Sequence, residues 1–350
     1  MLARTRCAGI AALLLVGGVV CACSTSGSNT ADGGAPLADG SVPRDALSQT
    51  GDAGLRADGP GGSRADGAVS PPRDRGATSD ARRPSDLGPA GTTPQAVFVP
   101  KPSGTCPSFA AGLNAFTAGG RARQAKVWIS SAATQLDGPL VFYWHSSGGT
   151  PDEAAYALGA GPMKELTDKG GIVVAPVRDP ASQPFPWYLV RGTADHDLRL
   201  ADEILACAVQ RVGVDLRRVH SIGMSAGAVM TTQMSWRRSG YLASVATYSG
   251  GQEATPPNQD PSNLFAALVF HGGPTDTFGS YSFQALSTTY HGALVSAGHF
   301  AAICNHGNGH VLPPNAGTLT LTFLLAHPFG TRPSPYAKGL PAPFPGYCTR

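Results

Sequence analysis

The sequence predicts an α/β domain: a doubly wound, mostly parallel sheet with helices on both faces. Three observations carry the prediction. Apolar runs of strand length alternate with helix-like runs from about Ala96 to the end of the chain. Two of the strand-like runs, Pro139–His145 and Ile172–Pro176, are apolar almost throughout, as central strands covered on both faces must be. A third, Arg218–Ile222, leads through Gly223-Met224-Ser225-Ala226-Gly227 into the helix-like run Ala228–Met234. That is a strand, a tight small-residue turn and a helix in succession.

The remaining elements follow in order. Leu113–Ser130 reads as a hairpin, with Gly119-Gly120 as its turn between Leu113–Ala118 and Gln124–Ser130. Pro139–His145 is the first central strand. Asp152–Thr167 is helix-like and is stopped by Gly170-Gly171. Ile172–Pro176 is the next buried strand. Asp195–Val212 is helical, with Thr193 or Asp195 as its cap. After the turn at Ser225 and its helix come two strands, Leu242–Tyr248 and Phe265–His271. Tyr281–Ser296 is helix-like, Phe300–Cys304 is a last strand and Ala316–Ala326 a last helix.

The N-terminal part is of another kind. Arg4 and Arg6 precede the apolar run Ile10–Val20, which is too short to span a bilayer stably and reads as the core of a secretory signal. The run ends Val20-Cys21-Ala22-Cys23, which resembles a bacterial lipobox. Cys23 is the expected lipidation site, because small Ala22 precedes it, and residues 1–23 form the expected leader; an ordinary signal peptide cut nearby is the alternative. Residues 24–95 contain no aromatic residue, and Ala-Asp-Gly recurs at 31–33, 38–40, 57–59 and 65–67. Such a segment buries too little apolar surface to offset its ordering entropy, and it is expected to act as a tether spanning roughly 40–50 Å. Residues 96–350 then hold all four tryptophans and are long enough for one domain. The expected setting is an exported, membrane-anchored lipoprotein at the cell surface or in the periplasm, or a secreted protein. Net charge is +3 with no basic cluster, so nucleic acid is not an expected partner.

Outside the leader the cysteines are Cys106, Cys207, Cys304 and Cys348. Export places them in an oxidising compartment, and four cysteines allow three pairings. The expected bridge is Cys106–Cys348, which would tie the ends of the domain together. Cys207 lies in an apolar helical face and is equally readable as a buried free thiol.

The chemistry converges on Ser225. In the pattern G-x-S-x-G, the small flanking residues permit a tight turn that lifts the serine hydroxyl out of the sheet beside a helix N-terminus. A serine hydroxyl attacks poorly at neutral pH unless a base takes its proton and a carboxylate orients that base. Asp276, in the loop Gly272-Gly273-Pro274-Thr275-Asp276-Thr277 beyond the strand ending at His271, is the expected carboxylate, with Asp260 in reserve. His310, in the glycine-rich loop Asn305–Pro314, is the expected base, with His306 in reserve. The order Ser, Asp, His is the order such sites use on parallel sheets. A tetrahedral intermediate needs N–H donors for its oxyanion. The expected ones are Ala226 and, from the loop His145-Ser146-Ser147-Gly148-Gly149-Thr150, Ser146 or Ser147. Trp187 and Tyr188 are expected to line an aromatic pocket, or else to pack as a surface loop. No metal or cofactor is expected.

These residues resemble the secreted polyhydroxybutyrate depolymerase and feruloyl esterase group of α/β-hydrolases. Four matches carry the resemblance: Asp215–Gly227, Ile172–Pro176, His271–Asp276, and Gly309-His310 before Pro313. Together they span most of residues 113–327. The resemblance implies an α/β-hydrolase fold, with Ser225, Asp276 and His310 as a triad. It implies hydrolysis, through an acyl-enzyme, of feruloyl or acetyl esters of polysaccharides or of short polyhydroxyalkanoate esters. The family's loop commonly reads Leu-His-Gly-Cys where this chain has Trp144-His145-Ser146-Ser147. A binding protein on a degenerate hydrolase scaffold is the alternative reading, and a peptidase a third.

Overall fold

The computed structural model describes residues 96–189, 195–253 and 263–350. The expected leader, Cys23, the tether, Thr193 and Asp260 all lie outside them.

The chain enters through an antiparallel hairpin, β1 (Gly112–Ala118) and β2 (Arg121–Trp128). Ala118 pairs with Arg121 across a two-residue turn in which Gly119 and Gly120 both have positive φ, at 55° and 78°. That backbone is the primed turn matching strand twist, and it needs glycine or asparagine. The elements after it are β3 (Leu140–Trp144), α1 (Glu153–Leu158), α2 (Ala160–Asp168), β4 (Ile172–Pro176), α3 (His196–Arg211), β5 (Val219–Met224), α4 (Ala226–Arg237), β6 (Ser244–Tyr248) and β7 (Ala266–His271). A small hairpin, β8 (Thr277–Phe278) and β9 (Tyr281–Ser282), precedes α5 (Phe283–Ser296). β10 (Phe300–Asn305), α6 (Ala316–Leu325) and β11 (Cys348–Thr349) complete the domain.

Among the described residues the main sheet has nine strands in the order β1-β2-β4-β3-β5-β6-β7-β10-β11. The six strands from β4 to β10 run parallel; β2 joins β4, and β11 joins β10, antiparallel. β3, β4, β5, β6 and β7 are buried along their whole length. Alternate side chains therefore feed two cores. Phe142, Trp144, Val174 and Val219 face α3 and α4, while Val141, Tyr143, Val173 and Ile222 face α1, α2 and α6. Fully burying one such side chain contributes about 1.5–3 kcal/mol, so each face of the sheet anchors its own helix layer. This is the doubly wound, mostly parallel α/β fold expected from the sequence.

Local geometry departs from the sequence reading in three places. The single helix expected over Asp152–Thr167 is two helices, because Gly159 sits at φ 83° and Pro162 follows without an N–H. The helix expected from Tyr281 starts at Phe283; Tyr281 and Ser282 form a strand, and the Ser282 hydroxyl caps the helix by accepting from the Ala285 N–H at 3.3 Å. The third concerns the cysteines. Cys106 bonds to Cys207 and Cys304 to Cys348, so neither the Cys106–Cys348 bridge nor a free Cys207 thiol exists. The segment before β1 lies along α3, where Glu203 accepts hydrogen bonds from the Ser103 and Gly104 N–H groups and Arg211 donates to the Cys106 carbonyl. That brings Cys106 to Cys207, one turn from Glu203. β11 pairs with β10 with Cys348 directly opposite Cys304. The segment before β1 and the strand β11 are thus each stapled to the element they pack against.

Candidate active site

The site forms at the carboxyl ends of β3, β5, β7 and β10, where open α/β sheets gather their loops. Ser225 stands between β5 and α4 at φ 55°, ψ −119°, a conformation costing a non-glycine residue about 1–3 kcal/mol. Packing holds it there. The Ser225 N–H donates to the Tyr248 carbonyl at 2.9 Å. A Cβ on Gly223 would lie 2.2 Å from the Gly227 carbonyl oxygen, and one on Gly227 only 1.8 Å from that of Trp144. Both glycines of the motif are therefore dictated by backbone approach.

His310 and Asp276 meet Ser225 in line. The imidazole Nε2 is 3.0 Å from Ser225 Oγ, and Nδ1 is 2.7 Å from Asp276 Oδ1. Asp276 is fully buried; its Oδ2 accepts from the Gly272 N–H at 2.7 Å and the Ser249 hydroxyl at 2.8 Å. Burial pushes the Asp276 carboxyl up, but the hydrogen bonds from His310, Gly272 and Ser249 and the charge of His310 outweigh it and hold the group below its ordinary range. The carboxylate stays ionised and fixes the imidazole's orientation. The Phe283 ring stacks on the His310 ring at 4.4 Å, interplanar angle 19°, and covers one imidazole face.

The reserve residue His306 makes no hydrogen bond to Ser225 among the described residues. Its N–H donates to the His271 carbonyl, its Nδ1 accepts from the Asn308 N–H, and its Nε2 is buried with no hydrogen bond. Burial lowers its basicity.

The N–H of Ala226 is the first of α4's orphan donors and makes no hydrogen bond within the described residues. The loop after β3 treats its two serines differently. The Ser146 N–H donates to Glu153 Oε1 at 3.0 Å and its hydroxyl to Oε2 at 2.5 Å, which commits Ser146 to Glu153. The Ser147 N–H has no such partner among the described residues, and Ser147 is an exposed residue. Glu153 also accepts from the Tyr143 hydroxyl at 2.9 Å, and a Cβ on Gly149 would lie 2.4 Å from its Oε2. Glu153, at the start of α1, is a clamp on this loop that the motif reading missed.

Trp187 does not line a pocket. It is buried, its Nε1 donates to the His145 carbonyl at 2.9 Å, and its ring packs edge-on against Trp144 at 5.0 Å. Tyr188 is tied to the β2 side: its hydroxyl donates to Asp179 and its N–H to Asp197. Trp187 is thus packed inside the loop after β4, while Tyr188 is half-buried there. Burial lowers the basicity of His145, against the opposing hydrogen bond with the Ser146 carbonyl. Ser249 and Phe283 were also missed. Neither belongs to a motif, and only the fold brings them to Asp276 and His310.

No family model and no curated protein matches the sequence. Solved structures do match. Native sOPH aligns with a TM-score of 0.57 at 19% identity, covering 72% of this chain and 96% of that one. The complex of a serine-to-alanine variant of pOPH with pNPB aligns with a TM-score of 0.58 at 18% identity over the same shares. A complex of the serine-to-cysteine variant of pOPH with DMSO aligns with a TM-score of 0.55 at 19% identity, over 69% of this chain and 92% of that one. The likeness is one of fold over nearly the whole of those chains. With the sheet order and the sharp β5–α4 turn, it gives this chain the α/β-hydrolase fold.

Proposed function

We propose that the protein is a serine esterase. The observation that carries the reading is the unbroken relay Asp276 Oδ1 to His310 Nδ1 at 2.7 Å and His310 Nε2 to Ser225 Oγ at 3.0 Å. Ser225 Oγ attacks the ester carbonyl carbon while His310 takes its proton. The tetrahedral oxyanion is held by the N–H groups of Ala226 and Ser147. Collapse expels the alcohol, which receives the proton back from His310 and leaves an acyl-Ser225. Water, deprotonated by the same imidazole, then releases the acid. Asp276 holds the imidazole tautomer and offsets its positive charge throughout. Ser147 replaces Ser146 in this scheme because the Ser146 N–H is spent on Glu153. A protein of the same fold has been captured with pNPB, which is consistent with ester chemistry at this kind of site.

The substrates in this proposal are carboxylic esters: feruloyl or acetyl esters of polysaccharides, or short polyhydroxyalkanoate esters. The proposal extends to location. Arg4, Arg6, the apolar run to Val20 and Ala22-Cys23 support export with a lipid on Cys23, the residues up to 95 acting as a tether. Intact mass of the mature N-terminus tests this; an unmodified terminus beyond residue 23 would refute it. The activity is tested by p-nitrophenyl acetate turnover. The wild type is expected to turn over and Ser225→Ala to fall to background; activity surviving the substitution would refute the assignment.

A further inference from the structure

Two loops that start on either side of the strand leading to Ser225 meet. β4 and β7 are four strand positions apart, with β3, β5 and β6 between them, a separation of about 19 Å at ordinary strand spacing. Yet the ring of Phe185, from the loop after β4, meets that of Tyr281, from the hairpin after β7, edge-on with centroids 6.3 Å apart. The first loop passes over the end of β3, where Trp187 Nε1 is bonded to the His145 carbonyl. The second is bound to the triad itself. Thr277 follows Asp276 directly, the Phe283 N–H donates to the Asp276 carbonyl at 2.9 Å, and the Phe283 ring covers His310. Ser225 follows β5, one of the strands between β4 and β7.

Among the described residues the arch is open to solvent on its Tyr281 side. Tyr281 is 41% exposed, and Phe278, its cross-strand neighbour in the β8–β9 hairpin, is 56% exposed. An edge-on ring pair at this spacing is weak enough to exchange for ring–ligand contact. The imidazole that must protonate the departing alcohol lies directly under Phe283, two residues from Tyr281. The arch therefore flanks the leaving-group side of the ester.

We infer that Phe185 and Tyr281 form an aromatic arch that selects esters by the apolar bulk of their alcohol portion, with Phe278 extending the same surface outward. This deepens the esterase reading and rests on it. Bulky apolar alcohols exchange the ring–ring contact for contact with the arch; small alcohols gain nothing from it.

The test compares 2-naphthylmethyl acetate with ethyl acetate, which share an acyl group and release alkanols. In Phe185→Ala/Tyr281→Ala, kcat/KM for the naphthylmethyl ester is expected to fall tenfold or more while that for ethyl acetate stays within about twofold. Tyr281→Ala alone, at a half-exposed site, is expected to give part of the loss, and Tyr281→Phe to restore wild-type selectivity. Equal losses on both esters, no change on either, or a gain on the bulky ester would each overturn the arch while leaving the esterase reading intact. A wild type that hydrolyses neither ester, with no fluorophosphonate labelling of Ser225, would overturn the esterase reading itself.

Discussion

Gly272 and Gly309 touch backbone to backbone: the Gly309 N–H donates to the Gly272 carbonyl at 2.9 Å, and a Cβ on Gly272 would lie 1.9 Å from the Gly309 carbonyl oxygen. One glycine opens the loop that carries Asp276 and the other precedes His310. The contact stitches the acid loop to the base loop, beside the hydrogen bond from the His306 N–H to the His271 carbonyl. The Gly272 N–H also bonds the Asp276 carboxylate, so the stitch fixes the acid itself.

Gly272→Ala must therefore push the base loop away from Ser225. The expected result is a fall in kcat of about 100-fold or more, the scale of a 1 Å misplacement at a reacting centre. Thermal unfolding should shift by only a few degrees, because the contact lies at the rim of the sheet. Steady-state kinetics beside a melting curve checks this; an unchanged kcat would contradict it.

Glu153 offers a second prediction. Its carboxylate holds both the N–H and the hydroxyl of Ser146, and so the turn that presents Ser147. Glu153→Ala releases the loop after β3. The expected loss is about 10- to 100-fold in kcat with KM nearly unchanged, somewhat less than the ~100- to 1000-fold of deleting an oxyanion donor outright. A loss confined to KM would mean that the loop binds substrate rather than the oxyanion.

Two histidines, the buried His220 and the half-buried His299, contribute to the loss of stability in acid. Burial lowers His220 to about 3 and His299 to about 4. Between pH 6.5 and 4 the unfolded chain binds protons at both sites and the folded chain does not, so stability falls as pH falls across that window. The slope is about 1.4 kcal/mol per pH unit for each fully affected group, giving on the order of 2–3 kcal/mol per histidine. Denaturant titrations from pH 7 to pH 4 measure it. His220→Asn should flatten the slope, and a slope that steepens would contradict the assignment.

The disulfides are checked by peptide mapping without reduction. Linked peptides should join Cys106 to Cys207 and Cys304 to Cys348, and a peptide joining Cys106 to Cys348 would contradict the fold described. Replacing both Cys304 and Cys348 by Ser should destabilise the domain by about 2–4 kcal/mol, the usual worth of a bridge closing a loop of this size.

Much of this was legible in the sequence because it is local. The apolar runs at Leu140–Trp144 and Ile172–Pro176 admit only buried strands, the Gly119-Gly120 pair admits only a tight hairpin, and the spacing around Ser225 is forced by the approach of Gly227 to Trp144. Asp276 and His310 could be singled out because chain order and loop position restrict the choice among nine histidines, and the structure brings both to Ser225. What was not legible depends on non-local packing. Cys348 lies opposite Cys304 only because β11 closes the edge of β10, a pairing two residues long with no pattern to read. Trp187 looked like a pocket residue because aromatic loops often line pockets. Its indole is instead held inside by the His145 carbonyl. Glu153 belongs to no motif, and only the loop folded back on it gives its first-turn carboxylate a role.

Fluorophosphonate labelling followed by peptide mass analysis tests the central claim most directly. The account predicts one covalent adduct per chain, on the peptide containing Ser225, and none in Ser225→Ala. It also predicts much slower labelling in His310→Ala, since the imidazole 3.0 Å from the hydroxyl is what activates it. A folded wild-type protein that takes up no label, or takes it up equally well without Ser225, would contradict the account.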